Sequence, residues 1–348
     1  MEKVQVDLGK DSYPIYIGKG LLDNISEYLG ERDKLLILTD KNVDALYGDR
    51  LGKNLGDEAF CKYVIEPGES SKNMDTVIEI LSYMLKEHLT RESKVVAFGG
   101  GVVGDIAGFC ASVYMRGIPF VQVPTTLLAQ VDSSVGGKTG VNLSQWKNMI
   151  GTFYQPKAVI IDTDVLYSLP QREFMSGMGE VVKYGIIQDN TFFNYLKENI
   201  HKIKDMDEAV MQHVIRRCCQ VKGQIVALDE KEQGVRKILN FGHTIGHALE
   251  GMTQYQKYTH GEAVLIGMYM ETFIARRLGV IPEDYFYEIT DFIQNLGMDV
   301  DIPMYDVQKL IEIMMGDKKN AQGKISFILP VARGKMKEYL LDIHELQW

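Results

Sequence analysis

The stretch that most limits what this chain can become runs from Lys94-Val95-Val96-Ala97-Phe98 directly into Gly99-Gly100-Gly101-Val102-Val103-Gly104-Asp105. A short β-type run enters a G-x-G-x-x-G turn that opens a helix, the order found where a parallel sheet carries a dinucleotide at its strand ends. Glycines let the backbone approach a pyrophosphate, whose charge then meets free N–H groups and the positive end of the helix. The usual companion, an acid about 20 residues further on for the ribose, is missing, because no acidic residue lies between Asp105 and Asp132. A phosphate cradle and a tight turn of no chemical use both remain open. Pro67-Gly68-Glu69-Ser70-Ser71-Lys72 is a second turn that could reach a nucleotide or be an ordinary solvated loop.

Around this turn the first half alternates strand-like runs (34–38, 60–65, 94–98, 120–123 and 159–161) with an amphipathic stripe over 74–86. That alternation makes a sheet covered by helices. Beyond residue 165 the segments lengthen and take helical periodicity over 207–228, 263–278 and 283–296, with one strand over 324–329 ended by Pro330. The pattern predicts an α/β, Rossmann-like domain over 1–165 and a mainly helical domain over 166–348, with a ligand in the cleft where they meet. The 348 residues, 45% hydrophobic and 24% charged, suffice for two cores. A formal charge of -9 argues against nucleic acid and anionic membrane as partners. Cys61, Cys110, Cys218 and Cys219 have no metal-site or disulfide spacing, and neither a signal core nor a membrane span is evident. The expectation is a cytoplasmic protein.

Two further clusters carry chemistry. Asp132-Ser133-Ser134-Val135-Gly136-Gly137-Lys138-Thr139 ends like a Walker A loop but has Asp132 where the first glycine belongs, which excludes a P-loop NTPase. From Ile106 to Ile161 the only acid is Asp132, against Arg116, Lys138, Lys147 and Lys157. This is either a local anion site in an acidic molecule or a set of solvated lysines. His243, His247 and His260 fall within 18 residues. Arg236, Asn240, His243 and His247 would share one face if a helix starts before Arg236. A polar stripe of this kind needs a metal or ligand to satisfy it. Spacing alone pairs His243 with His247, with a carboxylate such as Glu180 or Glu262 completing a zinc site with one open position. His88, His201, His213 and His344 read as surface or core histidines.

Taken together, several segments resemble the 3-dehydroquinate synthases, a family of sugar-phosphate cyclases. They are Gly99 to Asp105, Tyr114-Met115-Arg116-Gly117, Pro124 to Gly140, Lys147-Asn148, Gly179-Glu180-Val181-Val182-Lys183, Leu239 to His247, His260-Gly261-Glu262 and Asp317-Lys318-Lys319. Trp146 departs from the family's usual glycine before Lys-Asn and leaves every charged group in place. The resemblance implies a homodimer that uses NAD and zinc, or cobalt, to turn 3-deoxy-D-arabino-heptulosonate 7-phosphate into 3-dehydroquinate and phosphate in the shikimate pathway. By motif, Glu180, His243 and His260 become the metal ligands, which replaces the pairing suggested by spacing. NAD falls to Asp40, Glu69, Lys72, Gly100, Gly101, Val102, Asp105, Thr125, Thr126, Lys138, Lys147 and Ser168. Substrate falls to Asp132, Lys138, Lys147, Asn148, Lys183, Lys222, Arg236, Asn240, His247, Lys318 or Lys319, and to Arg116 from a second subunit. Of these, Asp132, Lys138, Lys183, Asn240 and His247 would be catalytic, His247 because a histidine exchanges protons near neutral pH. Lys222 and Arg236 suit a substrate carboxylate, which argues against a cyclase for a neutral sugar. A metal-dependent polyol dehydrogenase would instead release NADH at each turnover, and a nucleotide-binding scaffold would have no use for the metal ligands.

Overall fold

The structure, a computed structural model, describes residues 1–56, 60–144, 146–254, 256–297, 306–315 and 324–342. Its first half is built on strands β1 (Glu2–Val6), β2 (Tyr13–Gly18), β3 (Leu35–Asp40), β4 (Phe60–Ile65), β5 (Lys94–Gly99), β6 (Phe120–Pro124) and, after the antiparallel hairpin β7 (Lys138–Leu143) and β8 (Trp146–Phe153), β9 (Ala158–Asp162). The sheet has the order β1-β2-β9-β6-β5-β3-β4, with β1 antiparallel to β2 and every other pair parallel. Its strands are apolar at successive positions because both faces are covered. On β3, Leu36 and Leu38 join a core with Val95 and Ala97 of β5, whereas Leu35 and Ile37 join another with Val96 and Phe98. Helices α1 (Met74–Lys86) and α2 (Gly101–Val113) cover the first face through Val77, Ile80, Ile106 and Ala107. Leu22, Ile25, Leu51 and Leu55 cover the second.

Strand β3 has β4 on one side and β5 on the other. The chain leaves β3 toward β4 and leaves β5 toward β6 on the other side, so the carboxyl ends of β3 and β5 flank the crevice where open α/β sheets bind ligands. The glycine turn at Gly99 to Gly101 stands at that point.

From residue 170 onward helices dominate: α3 (Gln171–Ile187), α4 (Asn190–Lys204), α5 (Glu208–Leu228), α6 (His243–Met252), α7 (His260–Arg277), α8 (Glu283–Asn295) and α9 (Val307–Met315), then an antiparallel hairpin β10 (Lys324–Ala332) and β11 (Lys335–Asp342). Contacts divide the chain into two units, Met1–Leu169 with Met206–Lys231, and Pro170–Asp205 with Glu232–Trp348. Helix α5 packs on β1 and β2 and therefore belongs with the sheet, beyond the boundary at 165 expected from the sequence. Periodicity marks its apolar stripe but does not say which partner fills it.

One expected helix is broken. Val235–Asn240 is a short 3-10 turn, Phe241 is extended, and Gly242 at φ 79° turns the chain before α6 starts at His243. Arg236 and Asn240 therefore do not continue the face that carries His243 and His247. Glycine is required at 242 by its left-handed backbone and by crowding, since a Cβ there would lie 2.4 Å from Met268 Cγ.

Helix α7 is the axis of the second unit, opened by a capping box between Thr259 and Glu262 and buried on nearly all sides. It touches α3 and α6 backbone to backbone. A Cβ on Gly261 would lie 1.7 Å from Ser176 O of α3, and one on Gly267 would lie 2.0 Å from Gly242 O.

No helix among the described residues is long and apolar enough to cross a membrane. All four cysteines are buried and none forms a disulfide, and burial pushes the Cys110 and Cys219 thiols up to about 12.

Because the 242–267 contact leaves no room for a methyl group, Gly267→Ala is expected to cost roughly 1–3 kcal/mol or more through backbone displacement. A denaturation midpoint unchanged from wild type would show that this contact does not set the α6–α7 spacing.

Candidate metal and nucleotide sites

In the second unit, Glu180 lies on α3, His243 at the first turn of α6 and His260 at the first turn of α7. Glu180 has no exposed surface. Its Oε1 is 3.5 Å from His243 Nε2 and 3.6 Å from His260 Nε2, and its Oε2 pairs with the Lys183 ammonium one turn along. The other ring nitrogens are engaged: His243 Nδ1 faces Phe241 O at 3.1 Å and His260 Nδ1 faces Glu250 Oε2 at 3.4 Å. An imidazole that donates from Nδ1 keeps its lone pair on Nε2. Both Nε2 atoms therefore converge on the Glu180 carboxylate.

Two ligands bound about 2.0–2.1 Å from a tetrahedral ion stand about 3.3–3.4 Å apart, close to the spacing observed. One carboxylate and two imidazoles, with room for an open position, suit catalytic zinc. The electrostatics agree. His243 is held well below the ordinary histidine value by burial and by Lys183 and the neighbouring histidines, so its ring is neutral. Burial acts the same way on His260, but Glu180 and Glu250 outweigh it and raise that ring to about 10.

His247 is exposed on α6, and its ring centroid lies 5.3 Å from that of His243 and 5.9 Å from that of His260. A second possible donor group joins His247, Glu250 and His260. Asn240 Nδ2 donates to Glu232 Oε1 at 2.9 Å, and Arg236 and Lys183 are almost wholly buried. Lys318 and Lys319 lie outside the described residues.

In the first unit, Asp40 ends β3 and caps the next turn, its Oδ1 accepting from the Asn42 and Val43 amides. Asp40 thus stands at the end of the strand beside the glycine turn's own strand. β3 precedes β5 in the chain but lies beside it in the sheet, so the carboxylate comes from upstream. Helix α2 begins after Gly100 with no side-chain cap, which leaves its first N–H groups for an anion. The glycines here also serve packing, because a Cβ on Gly100 would lie 3.1 Å from Thr126 and one on Gly101 would lie 3.1 Å from Ser133 Oγ. At the end of β6, Thr125 N donates to Gly99 O at 3.0 Å, and the buried Thr125 Oγ1 has no partner among the described residues. An uncapped helix, an acid at the switch point and an unsatisfied hydroxyl together fit a dinucleotide.

The loop at Gly68, φ 100°, brings Lys72 into this region. Lys72 Nζ pairs with Asp105 Oδ2 at 2.5 Å and with Asn148 Oδ1 at 2.6 Å. Burial works against its charge, but Asp105 and Glu69 prevail and keep its pKa above the ordinary lysine value. Asn142, which the sequence reading did not single out, donates to Glu69 Oε1 at 2.8 Å and accepts from Asn148 N at 2.9 Å. Lys222 of α5 donates to Asp132 Oδ1 and Asp132 O, each at 2.8 Å. Ser168 Oγ is 2.7 Å from Tyr47 Oη. Lys138 starts β7, Lys147 sits in β8, and Arg116 is exposed at φ 68° after α2.

Comparison with known proteins matches residues 62–176 to the family described as 3-dehydroquinate synthase N-terminal and residues 177–320 to 3-dehydroquinate synthase C-terminal. The 3-dehydroquinate synthase of Alkaliphilus metalliredigens (strain QYMF) is 54% identical over 99% of this chain and 97% of its own length. That of Thermoanaerobacter sp. (strain X514) is 47% identical over 97% and 96%. Among solved structures, 2-deoxy-scyllo-inosose synthase, complexed with carbaglucose-6-phosphate, NAD+ and Co2+, superposes with a TM-score of 0.92 at 26% identity over 99% of this chain and 98% of that one. The 2-epi-5-epi-valiolone synthase of Streptomyces hygroscopicus, with NAD+ and Zn2+ bound, gives 0.89 at 29% identity over 97% and 96%.

If Glu180, His243 and His260 share one ion, Glu180→Ala and His260→Ala should lose stoichiometric zinc on dialysis while His247→Ala keeps it, as read by elemental analysis. Zinc retained by Glu180→Ala and lost from His247→Ala would move the ion to the other donor group.

Proposed function

The chain belongs to the 3-dehydroquinate synthase family and converts 3-deoxy-D-arabino-heptulosonate 7-phosphate to 3-dehydroquinate and phosphate; we propose that Glu180, His243 and His260 hold its divalent ion and that NAD lies at the carboxyl ends of β3, β5 and β6. The observation that carries this reading is the convergence of two imidazole Nε2 atoms on one fully buried carboxylate. When bound, NAD supplies a hydride acceptor restored within each turnover, and zinc or cobalt supplies Lewis acidity toward a hydroxyl.

The chain's own residues divide the remaining work. Asp40, Thr125, the amides after Gly100 and the Lys72–Asp105 pair bind and orient the dinucleotide, with Glu69, Thr126, Lys138, Lys147 and Ser168 around it. Lys138, Lys147 and Asn148 stabilise the charge that gathers on the phosphate as it leaves. Arg236 suits a carboxylate through bidentate pairing, and Lys222, set by Asp132, adds a second cation. Lys183 balances the buried Glu180 charge and Asn240, fixed by Glu232, orients substrate hydroxyls. His247, exposed beside the ligand histidines, exchanges protons with substrate.

A homodimer in the cytoplasm completes the reading, with Arg116 acting in its partner's site. In support, Val113, Met115, Leu143, Trp146, Met149 and Phe153 are large apolar side chains left exposed on hairpin β7–β8 and the end of α2. A Thr152–Ser112 hydroxyl bond of 2.9 Å ties these two elements together. Four cysteines, none in a disulfide, fit a reducing compartment.

Supplied with the heptulosonate phosphate and NAD at catalytic concentration, the protein should release phosphate and 3-dehydroquinate in equal amounts over many turnovers per NAD. No NADH should accumulate at 340 nm, a wavelength of about the nicotinamide maximum. A chelator should stop both products and added zinc restore them. Net NADH formation would assign the protein to the polyol dehydrogenases instead.

A further inference from the structure

Helix α6 carries both His243 and His247, yet nothing in its own sequence secures its start. The residue before it is Gly242, which has no side chain to cap the free N–H groups of the first turn. The cap comes from another helix. Glu271 of α7, with no exposed surface, accepts from Gly242 N through Oε2 at 2.7 Å and from Ile245 N through Oε1 at 3.4 Å. A carboxylate at this position also meets the positive end of the helix dipole. The same crossing is fixed sterically, because Gly242, Gly246 and Gly267 leave no space for a methyl group between α6 and α7.

We propose that Glu271 is a positioning residue for the metal site: by gripping the first turn of α6 from α7, it sets the height and rotation at which His243 meets Glu180 and His260. The two amides it holds flank His243 in the chain, so a shift of that turn moves the His243 Nε2 lone pair off the common point. The inference rests on reading Glu180, His243 and His260 as metal donors, and zinc binding by the wild-type protein tests that reading separately. Burial raises Glu271 to about 8, and the backbone amides at Gly242, Ile245 and Thr244 pull the other way.

The test compares Glu271→Gln and Glu271→Asp with Ile289→Val, a conservative change at a buried position of α8. Zinc affinity is read by competition with a chromophoric chelator, and ligand geometry by the visible absorption of the cobalt-loaded protein. Glu271→Gln should weaken zinc at least tenfold, in the range of about 10–100-fold seen for groups that orient metal ligands. It should also alter the cobalt spectrum and lower kcat while the KM for NAD stays within about twofold. Glu271→Asp should fall between Gln and wild type, and Ile289→Val should retain wild-type affinity and spectrum. Equal zinc affinity and an unchanged spectrum in Glu271→Gln would overturn the proposal, as would equal losses in Ile289→Val. If neither Glu271 variant folds, hydrogen exchange on the wild-type protein decides. Slow exchange at the Gly242 and Ile245 amides, slowed further by zinc, supports the grip; fast exchange, indifferent to zinc, refutes it.

Discussion

A carboxylate with no exposed surface, Glu180, imposes the strictest condition on the second unit. Removing an anion from water costs on the order of several kcal/mol even after relaxation, so positive charge or strong donors must meet it. Lys183 supplies one charge from the same helix, and His243 and His260 bring two imidazoles from two others. Side chains as short as these converge only if three helix backbones come into contact. Gly179, Gly261, Gly242 and Gly267 make that possible, each at a spot where a Cβ would press against neighbouring backbone. The helix crossings and the donor set are thus one arrangement, seen once as packing and once as electrostatics.

The first unit solves a different problem, the accommodation of negative phosphate within an acidic chain. It does so with backbone and geometry more than with net charge. Topology puts the ends of β3 and β5 at a switch point, the glycine turn opens a helix without a cap, and Asp40 ends the neighbouring strand β3. Lys72 is fixed by Asp105 and Asn148, and Asn142 links that group to Glu69, so the loop at Gly68 and hairpin β7–β8 are held by one polar network. A network whose members are all satisfied is rigid, which is what a cofactor platform requires.

Much of this was legible in the chain. Strands β3 to β6 and β9 and helices α1, α5, α7 and α8 follow from periodicity because each has a face that must be buried. Other features were not. The hairpin β7–β8 hides in a glycine-rich stretch, since Gly140 and Gly151 face each other where a side chain would strike the opposite strand. The polar stripe from Arg236 to His247 assumed a continuous helix, but Gly242 bends the backbone out of it. Spacing favoured His243 with His247, both on α6, whereas the imidazoles that meet Glu180 belong to His243 and His260 on different helices. Glu232, Glu250 and Glu271 gave no signal, because an acid that orients a neighbour looks in sequence like any surface acid.

The amino-acid sequence by itself determined the kind of chain this is: a sheet-forming half with a phosphate-type turn, a helical half with clustered histidines, and a set of motifs shared with one enzyme family. Local rules suffice for these, since periodicity, turn chemistry and charge act within a few residues of the chain. Tertiary structure alone decided that α5 returns to the sheet, that Asp40 ends the strand lying beside that of the glycine turn, and that a carboxylate 28 residues beyond His243 caps its helix. Each of these depends on which surfaces meet, and that is fixed by the packing of whole elements rather than by any spacing along the chain.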